Sequence, residues 1–223
     1  ACDASNDAVG HAFRAIRSGE VDVMIAGGSE SILVTVAIGG FERAGATSTK
    51  SSETPQPFDL NRDGLVIGEG AGMMVLESLE FAQARGATIL AEVVGYGQTT
   101  DAFHITAPPE NGSGAARAMT KALADARLRP EDVNFISAHG TGTQLNDAAE
   151  TSAIKLALGE HAYNVPVVST KSMTGHIMGG TGSIESVFCT LALRDQIIPP
   201  TINYVTPDPV CDLDYVTNVA RKA

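Results

Sequence analysis

The residues able to do chemistry are few and far apart: Cys2, His139, His176 and Lys171 in a chain of 223 residues. Cys2 stands just ahead of an apolar helical pattern. Backbone N–H groups and the helix dipole at such a start favour a thiolate, the nucleophilic form of cysteine. Asp3 opposes this, because a neighbouring negative charge disfavours a second one. His139 lies in Ser137-Ala138-His139-Gly140-Thr141-Gly142-Thr143, and His176 in Ser169-Thr170-Lys171-Ser172-Met173-Thr174-Gly175-His176. Both sit among Gly, Ser and Thr, where backbone can approach a ligand closely. Taken singly, the cysteine reads as an ordinary buried or chain-end residue and each histidine as a structural one. Taken together, they point to a thiol nucleophile with two N–H donors for one developing oxyanion. A cysteine hydrolase would instead need one His oriented by Asn or Asp. Lys171 directly follows an apolar run. Exposed, it is one more surface charge; buried, it needs a carboxylate partner, and Glu150 and Glu185 are the candidates.

The elements that must position these side chains follow from hydrophobic spacing. Helices are predicted over 7–18, 78–85, 114–126, 148–158 and 182–193, and strands over 21–26, 73–77, 89–96, 133–138 and 165–169. Alternation of this kind implies an α/β fold with covered, largely parallel sheets. Loops at the carboxyl ends of strands are where chemistry sits in such folds, and His139 and residues 171–176 fall there. The stretch 39–72 is rich in Ser, Thr, Pro and Gly, and a loop of that length is usually functional.

Composition removes several classes of function. The formal net charge is −11, from 15 basic and 26 acidic residues, which disfavours nucleic acid and anionic membranes as partners. No stretch approaches the roughly 18–20 apolar residues of a membrane span. Cys2, Cys189 and Cys211 form no CxxC pair, so neither a disulfide scaffold nor a structural zinc site is expected, and a reducing compartment is the default. Gly68, Gly70 and Gly72 precede a strand rather than a helix and lack the dinucleotide spacing. There is no P-loop pattern and no HExxH. The chain opens on Ala1-Cys2-Asp3 without Met and reads as a fragment or a processed product.

These residues together resemble the β-ketoacyl-acyl-carrier-protein synthases, the condensing enzymes of fatty-acid synthesis, over essentially the whole chain. Ala1-Cys2 is similar to their nucleophile motif, and Val23-Met24-Ile25-Ala26-Gly27-Gly28-Ser29-Glu30 to the strand that follows it. Asn61-Arg62-Asp63-Gly64 is similar to their Arg-Asp-Gly segment, and Asp101-Ala102-Phe103-His104-Ile105-Thr106 to a pocket segment. The His139 and His176 motifs resemble the two family histidines, the second in the form of stand-alone rather than modular polyketide enzymes.

The resemblance implies a thiolase-like, five-layered αβαβα fold, here partial. Residues 1–85 would be the end of one half, and 86–223 the second half without its C-terminal end, including a Phe loop that gates the pocket. It implies Cys2 as nucleophile, His139 and His176 as oxyanion donors, and Lys171 as support through Glu150 and Glu185. It further implies Thr141 and Thr143 on a pantetheine arm, Phe41 and Thr106 in the substrate pocket, acyl carrier protein as partner, a homodimer, and no metal or resident cofactor. The location implied is bacterial cytoplasm or an organellar matrix. The sequence departs from the family pattern at Asp3, at Gly45 where a basic residue is common, and at Gln56 where Arg is common; Arg43 or Lys50 would stand in for the missing base. Competing readings are a polyketide-type ketosynthase, a degradative thiolase (which would use a second Cys for one His), a non-catalytic chain-length-factor-like partner (which usually lacks the Cys), and a cysteine hydrolase.

Overall fold

The computed structural model describes residues 2–50, 54–104 and 107–222. Along the chain run α1 (Ala4–Arg17), β1 (Val23–Glu30), α2 (Thr35–Arg43), β2 (Gly70–Glu77), α3 (Leu79–Ala84), α4 (Ser113–Ala126), β3 (Ile136–Ser137), α5 (Gln144–Leu158), β4 (Val167–Val168), α6 (Lys171–Thr174), α7 (Thr181–Asp195), β5 (Ile197–Ile198) and β6 (Arg221–Lys222). They form two compact units, each assembled from three separate stretches of sequence.

The first unit comprises Ala1–Ile38, Ile67–Val93 and His176–Gln196. β1 and β2 pair antiparallel from Val23 opposite Glu77 to Glu30 opposite Gly70. Alternate residues therefore share a face. Ala26, Met74 and Leu76 meet Val9 and Ala12 of α1, which recur at helical spacing and form this unit's core. Ser78 starts α3 by accepting the Phe81 N–H at 3.3 Å. β1 was expected to stop before Gly27; it continues through both glycines because residues 70–73 supply ladder partners.

The second unit comprises Gly39–Val66, Val94–Gly175 and Ile197–Ala223. β3 and β4 pair parallel, and β5 and β6 antiparallel. The core gathers Ala138, Ile154, Leu158, Val165, Val167 and Leu213 around Phe58 and Tyr215, whose rings stack at 4.1 Å. Tyr215 keeps its hydroxyl satisfied inside this core by pairing with Thr151 Oγ1 at 2.7 Å.

Three sequence expectations are corrected. The sheets are not largely parallel: each has two strands among the described residues, and only β3–β4 is parallel. Residues 89–96 form no strand. The Tyr96 N–H goes instead to Asp125 Oδ2 at 3.0 Å, and Ile89 and Leu90 are 48% and 51% exposed. The irregular stretch from 39 begins inside α2, which Gly39-Gly40 concealed. α2 ends with Gly45 N–H on Glu42 O at 2.9 Å and Ala46 N–H on Phe41 O at 3.1 Å, with Gly45 at φ +66°. That left-handed closure suits glycine and disfavours a long basic side chain, which accounts for the Gly45 departure.

Candidate active site

In the first unit, the start of α1 and the start of α7 are fastened to one another. The Ser183 N–H donates to Ser5 Oγ at 2.9 Å; Ser183 Oγ accepts the Gly28 N–H at 3.1 Å and donates to Gly180 O at 3.0 Å. Both serines are buried. This staple sets Cys2, two residues ahead of α1, against the turn that precedes α7. Cys2 Sγ lies 4.0 Å from Met178 Sδ and within 4.8 Å of a ring nitrogen of His176. Cys2 is half-buried and His176 only 2% exposed. The imidazole is oriented from behind: Nδ1 is 3.1 Å from the buried Thr181 hydroxyl. Its backbone is pinned as well, because His176 O accepts the Gly68 N–H at 3.0 Å. Asp3 caps α1 by position but makes no side-chain capping bond.

In the second unit, β3 delivers His139 to a loop held by carboxylates. The His139 and Gly140 N–H groups donate to the two oxygens of Glu150 at 2.6 and 2.7 Å. The Gly142 N–H donates to Asp147 Oδ1 at 3.2 Å, and the Phe58 N–H to Asp147 Oδ2 at 2.8 Å. Glu150 is half-buried with its carboxyl end enclosed. Burial pushes that carboxyl up, against the pull of the two N–H donors and of the Lys171 charge. Lys171, the first residue of α6, is fully buried, so of its two readings the buried one holds, with Glu150 as a charge acting on it in the same unit. Glu185 lies on α7 of the first unit. The Thr141 and Thr143 hydroxyls are 2.9 Å apart, and Thr143 Oγ1 also caps α5 by accepting the Asn146 N–H at 3.3 Å. Phe41 is half-buried on α2. Thr106 lies outside the described residues.

Lys50 does not stand as a loose surface base. Its ammonium donates to Gln56 Oε1 at 2.5 Å and to the carbonyl of Asn61, while Gln56 Nε2 donates to Asn203 O at 3.2 Å. The Gln56 departure is thus absorbed into a local network, and Arg43 is an exposed base of the same stretch. Sequence reasoning missed Met178, Thr181, Asp147 and the Ser5–Ser183 staple. Thr181 and Asp147 had a readable signal, since each lies within a helical turn or two of a predicted site residue. Cys2 and Cys189 are half-buried and Cys211 is buried. Burial pushes Cys211 up to about 11, against the pull of Arg62, which leaves it unreactive.

The first unit thus sets a thiol at a helix start beside a threonine-oriented histidine, and the second holds a histidine on a carboxylate-held strand end, each in a fold of the thiolase-like class. The chain belongs to the β-ketoacyl synthase family: residues 1–82 match its N-terminal domain and residues 90–205 its C-terminal domain. It is 52% identical over 223 residues to the 3-oxoacyl-[acyl-carrier-protein] synthase 2 of Staphylococcus aureus and 51% identical over 224 residues to that of Synechocystis sp., each alignment covering 99% of this chain. The chain spans about half the length of these relatives, 55% and 54%. A type II polyketide ketosynthase solved with its acyl carrier protein and bound to a hexaketide matches with a TM-score of 0.96 and 48% identity, over 99% of this chain and 55% of that one. A β-ketoacyl synthase from Burkholderia phymatum matches with a TM-score of 0.93 and 41% identity, over 100% and 54%. The α/β, thiolase-like fold class expected from sequence is borne out, for about half of the relatives' extent. No helix among the described residues is long and apolar enough to cross a membrane.

Proposed function

We propose that the protein carrying this chain performs decarboxylative condensation of a malonyl thioester with an acyl group held on Cys2, elongating fatty acyl chains. The Cys2 thiolate attacks an acyl-carrier thioester; the new thioester forms and the carrier thiol leaves. Malonyl carrier then enters, and N–H donors from His139 and His176 hold its thioester carbonyl oxygen. The bond to the carboxylate breaks, carbon dioxide leaves, and the electron pair forms an enolate. The enolate carbon attacks the Cys2-bound carbonyl, a carbon–carbon bond forms, and the thiolate is expelled. The product is a 3-oxoacyl carrier thioester. The charge of the enolate develops on an oxygen facing these N–H donors, so decarboxylation calls on no resident cofactor beyond the pantetheine arm brought by the substrate.

The observation that carries this reading is Cys2 Sγ within 4.8 Å of a His176 nitrogen, with Nδ1 3.1 Å from Thr181 Oγ1. A Thr181 hydroxyl donating to Nδ1 fixes the neutral tautomer with its proton on Nε2, the form an oxyanion donor needs. Acyl carrier protein is the natural partner, entering by a local basic patch on an otherwise acidic chain; Arg43 fits that role, and a bacterial cytoplasm or organellar matrix would supply the carrier. A homodimer is part of the same reading, as are the assignments of Thr141 and Thr143 to the pantetheine arm and of Phe41 and Thr106 to the acyl pocket.

The test uses the complete protein. Cys2→Ser should abolish the acyl-enzyme, and His139→Ala should keep it while losing decarboxylation of malonyl thioester. Decarboxylation at the native rate in His139→Ala would end this assignment. The second reading, a polyketide-type ketosynthase, is favoured by the likeness to the hexaketide-bound enzyme. Products released unreduced after several condensations, rather than after one, would select it.

A further inference from the structure

The Asn61-Arg62-Asp63-Gly64 segment has no part in the chemistry described so far, yet its arginine is only 3% exposed. Its contacts all lie within the second unit. Nε donates to Thr143 O at 3.1 Å, and Nη2 to Gln144 O at 3.3 Å. Nη1 donates to Asp59 O at 2.8 Å and to Asp208 Oδ2 at 2.5 Å, while Nε stands 3.8 Å from Asp147 Oδ2. In return, Gln144 Nε2 donates to Arg62 O at 2.5 Å, and two residues on the Gly64 N–H donates to Gly142 O at 3.0 Å. One short segment thus takes the carbonyls of three successive residues, 142–144. On its other side the segment is anchored to residues 47–49. Asp63 accepts from Ser48 Oγ at 2.6 Å and from the Thr49 N–H at 2.9 Å, and a Cβ on Gly64, at φ +151°, would fall 2.3 Å from Thr47 C.

We propose that Arg62 is a positioning residue for the pantetheine arm of the thioester substrate, acting through the carbonyls of Thr143 and Gln144 to set the paired Thr141 and Thr143 hydroxyls. This rests on the condensing-enzyme reading above. The rival explanation is charge alone: Arg62 neutralises Asp147 and Asp208, and the loop would hold without it. The two differ in what geometry they need. A planar fork reaches several acceptors at fixed angles, whereas an ammonium supplies the same charge from one point. Arg62→Lys therefore keeps the cation beside both carboxylates and loses the fork to the loop.

The experiment measures acyl transfer to Cys2 in the complete protein from two thioesters, acyl-pantetheine and an aryl thioester lacking the pantetheine arm. In Arg62→Lys the KM for acyl-pantetheine should rise about tenfold, the scale of one lost charged hydrogen bond, with a much smaller change in kcat. The loss with the aryl thioester should be far smaller, and iodoacetamide alkylation of Cys2 should be unaltered. Gln144→Leu, which removes one bond from an exposed position without touching the buried charges, should shift KM in the same direction by about threefold, the scale of one neutral hydrogen bond. Equal losses with both thioesters, or no change with either, would overturn the inference alone. A wild-type protein that accepts an acyl group from neither thioester would overturn the condensing-enzyme reading, and this inference with it.

Discussion

Asp147 offers the sharpest test of the carboxylate-held loop. Its side chain is fully buried; Oδ2 accepts the Phe58 N–H at 2.8 Å, and Oδ1 accepts the Gly142 N–H at 3.2 Å and Asn146 Nδ2 at 3.1 Å. Burial pushes it up to about 6 from 3.8, helped by the nearby Glu150 charge and opposed by those donors and by Arg62. A group whose folded pKa is raised binds its proton more tightly in the native state than in the unfolded chain. Its contribution is therefore full below about pH 4 and is lost as pH climbs through about 6, for a total of about 3 kcal/mol. Carboxylates such as Asp63 and Asp208, which are held low, slope the other way, so the wild-type profile alone is ambiguous. The difference between wild type and Asp147→Asn cancels them. The amide also turns one N–H toward a buried N–H donor, a loss of about 1–3 kcal/mol that does not depend on pH. Urea midpoints across pH 4–7 should show the wild-type advantage over Asp147→Asn shrinking by about 3 kcal/mol as pH rises. A pH-independent difference, or one that grows with pH, would refute the reasoning.

Thr181→Val removes the hydroxyl behind His176 Nδ1, and release of carbon dioxide from malonyl thioester should fall by about tenfold or more while acylation of Cys2 survives; loss of both steps together would count against a tautomer-fixing role. Ser183→Ala leaves the Gly28 N–H without its side-chain acceptor, and denaturant unfolding should report about 1–3 kcal/mol of lost stability. Iodoacetamide at neutral pH should label Cys2 well before Cys211, which is 2% exposed and held up near 11; peptide mass spectrometry reads the order directly.

What the sequence made legible was local. The apolar spacing of Val9, Ala12 and Ile16 marked α1, and Ser78 and Gly86 bracketed α3 closely. The strand-end placement of His139 and Lys171 followed from short apolar runs bounded by Gly, Ser and Thr. Tertiary pairing was not legible. Whether 73–77 meets 21–26 parallel or antiparallel depends on a ladder that spacing does not encode, and the antiparallel answer overturned the expected topology. Residues 89–96 have a strand's composition, but a strand also needs a ladder partner, and Asp125 takes a backbone donor there instead. Similarly, Ser5 and Ser183 are 178 positions apart, and nothing in either's neighbours announces the bond. Arg62 was visible as part of a family-like segment; its bonds to the carbonyls of residues 143 and 144 emerged only with the structure.

The second unit buries Lys171, Arg62, Asp147 and Asp59, all at 3% exposure or less. Stability is a poor reason for such a set, because desolvation offsets most of what buried ion pairs return, and apolar replacements of equal volume often do as well. Their bonding points elsewhere. Asp147 fixes Gly142, Arg62 fixes residues 143 and 144, and Lys171 shares its field with Glu150, which fixes His139 and Gly140. The peptide groups of residues 139–144 are thus held largely by charged side chains, whose bonds are directional and resist small displacements in a way apolar contacts do not. If the proposed function holds, this loop presents an imidazole and two hydroxyls to a thioester, and there such rigidity is worth the desolvation it costs.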